Sequence, residues 1–181
     1  MKTSSCKRFT LIELLVVIAI IAILAGLVFP ALGTVRNNAK KSKASSECQS
    51  LKTAIVMYES EFSCWPANVG TKDALVSGSN YVTMCKILTG MNSKKMVFYE
   101  VGVGYNENDG ILDPWGKPYQ VILDADFDDQ IDDSIQAVKE VNTVNSRSGK
   151  LRVKVAVYSF GDKEETDLSK LAKTKKLVIS W

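Results

Sequence analysis

The longest run of apolar positions lies near the amino terminus. Between Glu13 and Arg36 the chain has no charged side chain, which leaves 22 uncharged residues from Leu14 to Val35. In an α-helix they would span about 33 Å, slightly more than the ~30 Å hydrocarbon core of a bilayer. We therefore predict a membrane-spanning helix over residues 9–35. Glu13 should have a functional partner, because an ionised acid in such a segment is costly.

A different pattern follows this apolar run. Apolar side chains recur in steps of three or four residues, which is typical of one face of a helix. They are Ala44, Cys48, Leu51, Ile55, Tyr58 and Phe62. We predict an amphipathic helical half over residues 36–63 that packs on a folded head. Trp65-Pro66 should end it, because proline disfavours the α conformation in the residue before it.

Gly26 and Pro30 differ from the rest of the apolar run in their effect on a helix. Pro30 cannot donate a backbone hydrogen bond to the carbonyl of Gly26, which favours a kink. The pair predicts either a hinge or a proline tolerated in a membrane helix, where the freed carbonyl finds another donor.

Residues 64–181 should form one globular head. Leu151, Val153, Val155 and Val157 alternate with other side chains, which indicates a half-buried strand over 151–158. Further strands are predicted over 96–103, 119–123 and 177–181, and residues 71–76 and 81–88 could each form a short helix. The predicted fold class is α+β, with a long amino-terminal helix packed on a small antiparallel sheet.

Charge and composition narrow the possible functions. The net charge is +3, but Lys2, Lys7 and Arg8 precede Phe9, so a chain beginning at Phe9 would have 20 basic and 20 acidic side chains. A neutral protein gives no electrostatic reason to expect nucleic acid binding. The sequence contains no histidine, which removes histidine-based triads and most catalytic zinc sites. We therefore expect a protein that is not an enzyme.

Four cysteines are present, at positions 6, 48, 64 and 85. If the head is extracytoplasmic, a single disulfide is expected, and Cys64 with Cys85 is the favoured pair. Cys48 lies on the apolar face of the predicted helix, where a cysteine acts as a small hydrophobe. The alternative is that all three head cysteines are reduced and buried.

An acidic segment follows the strand predicted over 119–123. Its six aspartates are Asp124, Asp126, Asp128, Asp129, Asp132 and Asp133. Carboxylates at this density suit Ca²⁺, and Asp124, Asp126, Asp128 and Asp132 are the predicted ligands. The segment is not an EF-hand, because position six of such a loop would be Asp129 and position twelve Ile135. A solvated acidic loop without a metal is the alternative.

A secretory signal peptide could also explain the amino terminus, with cleavage near Ala31-Leu32-Gly33. Its apolar core would be longer than the usual ~7–15 residues, and a signal peptide has no use for Glu13. Basic residues lie on both sides of the apolar run, so charge alone does not fix the topology.

The segment Lys7-Arg8-FTLIELLVVIAIIAILA resembles the prepilin-type amino terminus of type IV pilins and type II secretion pseudopilins. The resemblance implies a leader over residues 1–8 and cleavage between Arg8 and Phe9 by a prepilin peptidase, which methylates the new amine. It also implies that Glu13 pairs with the amine of a neighbouring subunit. This chain has Arg8 where the family usually has glycine.

Two head motifs make the resemblance more specific. DPWGKPY, at residues 113–119, is similar to a motif of the G-type major pseudopilins, as is the serine, glycine and aspartate stretch at 158–162. Asp113-Pro114-Trp115-Gly116 also has the residue preferences of a type I turn. That family carries calcium in a head loop, which favours the metal interpretation of the acidic segment.

The resemblance implies a structural subunit that polymerises into a type II secretion pseudopilus and drives export of folded proteins. It implies a single-pass inner-membrane protein with a periplasmic head. Expected partners are other copies of the chain, other pseudopilins and the inner-membrane secretion platform. Two alternatives are a type IV pilus subunit and a membrane-anchored calcium-binding module that does not polymerise. A metal-dependent hydrolase is disfavoured, since the chain lacks histidine and a phosphate-binding loop.

Overall fold

The computed structural model describes residues 11–102, 104–132, 135, 138, 149–162 and 178–180, without the side chains of residues 27–31. The chain divides into two compact units, Met1–Ala39 and Lys40–Trp181. The first unit contains the beginning of a long helix, α1, which extends over Leu11–Phe62. The second unit contains the rest of α1 and the head.

In the first unit, the large apolar side chains from Leu11 to Leu24 are between 47% and 81% exposed. The helical backbone continues through Gly26 and Pro30, and the hinge stays a prediction. Within the described residues, no helix combines the length and the apolar character needed to cross a bilayer.

The second half of α1 buries the face that its periodicity predicted. Ala44, Cys48, Leu51 and Ile55 are fully buried, and Tyr58 is 8% exposed. The helix ends at Phe62, where Ser63 has a left-handed φ of 53°. The predicted amphipathic helix and its end before Trp65-Pro66 are therefore confirmed.

The head combines one short helix with two antiparallel sheets. The elements in chain order are β1 (Ala74–Val76), α2 (Gly78–Leu88), β2 (Tyr105–Asn106), β3 (Gly110–Ile111), β4 (Gln120–Leu123), β5 (Val155–Ser159) and β6 (Val178–Ile179). The larger sheet has the strand order β1-β4-β5-β6, and β2 pairs with β3. With α1 packed on this sheet, the α+β prediction is confirmed.

Both faces of the larger sheet are buried, which corrects the prediction of a half-buried strand at 151–158. One face, with Val155 and Val157, packs on α1 and α2. The opposite face, with Ala156 and Tyr158, is covered by residues of the connection between β4 and β5. Ile131 of that connection pairs with Leu151 through an isolated bridge, so regular pairing in β5 begins only at Val155.

Other local predictions had mixed outcomes. The helix predicted over 81–88 is confirmed as part of α2, and the strand predicted over 119–123 as β4. The helix predicted over 71–76 is wrong, because residues 74–76 pair with β4. The strand predicted over 96–103 is wrong for 96–102, because the amides of Phe98 and Tyr99 both donate to the carbonyl of Leu88. In the segment 177–181, the strand covers Val178–Ile179, and residues 177 and 181 lie outside the described residues.

We expect Leu51→Ala to lower the free energy of unfolding by about 2–5 kcal/mol, because it removes buried methyl groups and leaves a cavity. Met57→Ala, on the same helix but 54% exposed, should change it by roughly 0.5 kcal/mol or less. Denaturant unfolding of the full-length protein in detergent measures both. Equal losses in the two variants would contradict the assignment of the buried face.

Candidate functional site

The turn at residues 113–116 is organised around a buried carboxylate. Asp113 is 4% exposed, and its Oδ1 accepts hydrogen bonds from the amides of Trp115 and Lys117, both at 2.9 Å. The carbonyl of Asp113 accepts from the amide of Gly116 at 2.9 Å, which closes the turn. The turn predicted from Asp-Pro-Trp-Gly is confirmed.

The second oxygen of Asp113 connects this turn to strand β5. Ser159 Oγ donates a hydrogen bond to Asp113 Oδ2 at 2.6 Å, and the amide of Gly161 donates to Ser159 Oγ at 3.0 Å. Ser159 is fully buried. The two head motifs that carry the resemblance are therefore in direct contact, although 46 residues separate Asp113 from Ser159.

The same segment also contacts α1. The hydroxyl of Tyr119 donates to Glu47 Oε2 at 2.5 Å, and burial followed by this hydrogen bond raises the pKa of Tyr119. Lys40 Nζ lies 5.9 Å from the centre of the Trp115 ring. Residues 113–119 thus hold the second half of α1 against the head through polar contacts as well as apolar packing.

The acidic segment begins with Asp124, whose side chain is fully buried. Its carboxylate accepts hydrogen bonds from the amides of Asp128 and Asp129, at 3.3 and 2.8 Å. Burial, followed by a hydrogen bond with Asp126, raises the pKa of Asp124 above its ordinary value.

An aromatic contact joins the acidic segment to the end of α1. Trp65 Nε1 donates to the carbonyl of Asp124 at 2.6 Å, and the Trp65 ring stacks on Phe127 with centroids 5.5 Å apart. Lys154 lies 4.0 Å from Glu59 of α1 and 3.5 Å from Asp129. The segment is therefore fixed to the head at its first residues.

The structure adds a carboxylate that the sequence analysis missed. Asp73 accepts hydrogen bonds from the amides of Ala125 and Asp132, at 3.1 and 2.7 Å. Ligand oxygens of Asp73, Asp124 and Asp126 all lie within 4.8 Å of one another. Asp73 comes close because Ala74 pairs with Leu123 in the sheet. Nothing in the local sequence indicates this pairing, since residues 71–76 could also form a short helix.

The four predicted metal ligands fall into two groups. Asp124 and Asp126 lie with Asp73, whereas Asp128 and Asp132 each lie 3.0 Å from Lys150 Nζ. The hydrogen bonds with these two carboxylates raise the pKa of Lys150, and the bond from Lys150 lowers the pKa of Asp128. Lys150 thus offsets part of the repulsion between the carboxylates of the acidic segment. Asp133 lies outside the described residues.

The described cysteines are all free, so the predicted disulfide between Cys64 and Cys85 is not present. Cys85 faces the core on α2 and is fully buried, whereas Cys64 is exposed after the end of α1. Cys48 is also fully buried, and burial raises its pKa to about 12. Cys48 therefore acts as a small core side chain, as predicted.

The predicted processing and assembly residues lie at the start of the chain. Glu13 is an exposed residue in the first turn of α1, next to the exposed Ile12, Val16 and Val17. Arg8 and Phe9 lie outside the described residues. Their predicted roles in cleavage and assembly stay predictions.

Comparison with known families defines the class of protein. The family described as "prokaryotic N-terminal methylation motif" matches residues 9–29, which include Glu13 and the apolar part of α1. This match, together with a long amino-terminal helix packed on a small antiparallel sheet, defines a prepilin-type protein. No solved structure matches the chain significantly.

Curated relatives narrow the class to one family. The chain is 34% identical to the type II secretion system core protein G of Aeromonas hydrophila over 119 residues, which cover 66% of this chain and 74% of that protein. It is 33% identical to core protein G of Pseudomonas aeruginosa, over 63% and 71% of the two chains. With core protein G of Escherichia coli K12 the identity is 31%, over 66% and 74%. The chain belongs to the type II secretion system core protein G family.

We expect Ser159→Ala to lower the free energy of unfolding by about 1–3 kcal/mol, because it removes a donor from the buried Asp113 carboxylate. Ser46→Ala, at an exposed position of α1, is the matched control and should have little effect. Denaturant unfolding measures the difference. If the two serine variants were equally stable, the Ser159–Asp113 contact would not be important for the fold.

Proposed function

We propose that this chain is a structural subunit of a type II secretion pseudopilus, and that it acts by polymerising rather than by catalysis. The observation that carries the proposal is membership of the core protein G family combined with the methylation motif over residues 9–29. Its partners are further copies of the chain, other pseudopilins and the inner-membrane secretion platform. The filament drives export of folded proteins.

The proposed location is the inner membrane, with one span over residues 9–35 and the head in the periplasm. Support comes from the uncharged stretch Leu14 to Val35 and from the large exposed apolar side chains at the start of α1. An apolar surface of this extent needs cover from lipid or from neighbouring helices. In the filament, the helices of other copies would replace the lipid.

Assembly begins with removal of residues 1–8, so that Phe9 supplies the new amino terminus. Glu13 then pairs with the amine of a neighbouring copy and helps set the register between subunits. Charge neutralisation is the physical reason, since an ionised carboxylate among apolar helices is unfavourable without a cation beside it. A hinge at Gly26 and Pro30 would let the helix adjust to this packing.

Two other functions share the same helix. A type IV pilus subunit would polymerise by the same physics, and the similarity to core protein G favours the secretion system. A membrane-anchored calcium-binding module would not polymerise at all. Removal of the Glu13 side chain distinguishes these functions, because it should stop assembly of either filament subunit and have little effect on the module.

We expect Glu13→Ala to abolish filament formation after overexpression, because the apolar helices would lose their charge pairing. Negative-stain microscopy and cross-linking of full-length protein measure assembly. Glu100→Ala, which removes an exposed acid in the head, should leave it unchanged.

Mass spectrometry of the same filaments identifies the first residue. It should be a methylated Phe9. Normal filaments from the Glu13 variant, or filaments whose chains begin at Met1, would contradict the assembly or the processing step respectively.

A second part of the proposal is that the acidic segment binds Ca²⁺ as a structural ion. The residues present fit such an ion: Asp73, Asp124 and Asp126 offer three carboxylates whose ligand oxygens lie within 4.8 Å of one another. Hard oxygen ligands of this kind are the ones that Ca²⁺ prefers. Asp128 and Asp132 have Lys150 as a counterion, so Asp73 replaces them in the proposed ligand set.

The role of the ion would be to hold the segment against α1. Asp124 connects to Trp65 through its carbonyl and to the proposed site through its carboxylate. Neutralising these three acids would stabilise the connection between β4 and β5, which covers the outer face of the sheet.

We expect calcium to raise the Tm of the calcium-free protein at pH 7 and to do so much less near pH 4. Because the pKa of Asp124 is raised in the folded state, its contribution to stability is present below its ordinary pKa of 3.8 and is lost as pH rises through the raised pKa. The calcium ion would compensate the negative charge that Asp124 acquires as the pH rises. At about 100 times its Kd it should add roughly 2.7 kcal/mol.

Asp124→Asn should abolish the calcium-dependent rise in Tm. Glu107→Gln, at an exposed position outside the segment, is the control and should keep it. A Tm that is independent of calcium at pH 7 in the unsubstituted protein would rule out the metal proposal and leave the filament proposal untouched.

A further inference from the structure

A group of basic residues follows the apolar part of α1 directly. We name Arg36, Lys40, Lys41 and Lys43 the basic collar. No acidic residue occurs between Glu13 and Glu47, so the 22 residues that precede the basic collar contain no acidic side chain. Within the described residues, their one ion pair joins Lys43 to Glu47 at 3.7 Å.

The collar side chains are accessible. Arg36, Lys40 and Lys43 are exposed, and Lys41 is half-buried. At 3.6 residues per turn, Lys40 and Lys43, which both belong to the second unit, lie about 60° apart on the helix. These two charges therefore lie on one side of α1.

The position of the collar follows from the proposed membrane span, on which this inference rests. In that span Val35 is the last residue, and the four basic residues follow it within eight positions of the sequence. The headgroup layer on each side is roughly 5–8 Å thick. A segment this close in sequence to the end of the span begins beside the lipid head groups, and long basic side chains can extend to them.

An aromatic ring lies beside the collar. Lys40 Nζ is 5.9 Å from the centre of the half-buried Trp115 ring. The position of Trp115 is fixed by the turn around Asp113, to whose Oδ1 its amide donates at 2.9 Å. Tryptophan with lysine or arginine is the combination found at membrane–water interfaces, where the ring meets the acyl boundary and the cation meets phosphate.

We propose that the basic collar and Trp115 together bind the head groups of anionic phospholipids. The competing occupant is the acidic surface of a second copy of the chain. The densest acidic segment is a poor candidate for it, because Asp128 and Asp132 already bind Lys150 and Asp129 lies near Lys154. The negative charge of a lipid surface is continuous and lies at the level where the collar begins.

The test uses full-length protein in nanodiscs that contain equal amounts of phosphatidylglycerol and phosphatidylcholine. Mild detergent extraction followed by native mass spectrometry measures which lipid stays bound. The collar variant is Arg36→Gln, Lys40→Gln, Lys41→Gln and Lys43→Gln. The control variant removes the same charge from the head through Lys72→Gln, Lys86→Gln, Lys95→Gln and Arg152→Gln.

The unsubstituted protein and the control variant should retain phosphatidylglycerol in preference to phosphatidylcholine. The preference should be roughly fivefold for each basic residue that reaches the head groups. The collar variant should retain the two lipids equally. Raising the salt concentration should weaken the preference, because salt screens exposed charges.

A second measurement keeps the inference testable if the collar variant does not fold. Brominated phosphatidylglycerol should quench the tryptophan fluorescence of the unsubstituted protein more than brominated phosphatidylcholine does. This difference should disappear in Trp115→Phe, which keeps an aromatic ring but removes the fluorophore.

Four results would overturn the lipid site or the membrane anchor on which it rests. Equal retention of both lipids by the unsubstituted protein would reject the lipid site alone, whereas failure to enter nanodiscs of any composition would reject the membrane anchor. Displacement of phosphatidylglycerol by inorganic phosphate, but not by chloride of equal ionic strength, would show a site for free anions. Unchanged lipid binding with lost cross-linking between copies of the collar variant would assign the collar to a protein interface.

Discussion

The buried contact between the second half of α1 and the larger sheet is the interaction on which the head depends. Ala44, Cys48, Leu51 and Ile55 are fully buried in it. An amphipathic helix gains most of its stability in water from burying such a face. The same contact positions α1 for the polar contacts around it, including the hydrogen bond between Tyr119 and Glu47. The contacts that residues 113–119 make with α1 add to a core that the helix already forms with the larger sheet.

Charge neutralisation is the second constraint, and the head meets it largely with its own residues. The buried Asp113 carboxylate accepts hydrogen bonds from two backbone amides and from the hydroxyl of Ser159. In the acidic segment, Lys150 bridges Asp128 and Asp132. Asp73, Asp124 and Asp126 remain as a compact group of carboxylates, and the proposed calcium ion acts there. Charged residues also flank the apolar stretch of the sequence, with Glu13 before it and the basic collar after it.

Much of this organisation could be predicted because it is encoded locally. The three- and four-residue spacing from Ala44 to Phe62 reports one face of a helix wherever that helix packs, and the structure buries that face. Asp113 to Gly116 form their turn through contacts within a few residues. The motif around Glu13 identifies the prepilin class for the same reason, since a short contiguous segment carries it.

What the sequence by itself determined was therefore the helix with its apolar and amphipathic halves, the α+β class and the prepilin character. Only the tertiary structure decided that Asp73 joins Asp124, that Ser159 binds Asp113, that Cys85 is buried apart from Cys64, and that β5 is covered on both faces. These features depend on pairing between segments far apart in the chain, such as β1 with β4. A local pattern reports which side of a strand or helix is apolar, but not which distant residues will cover it.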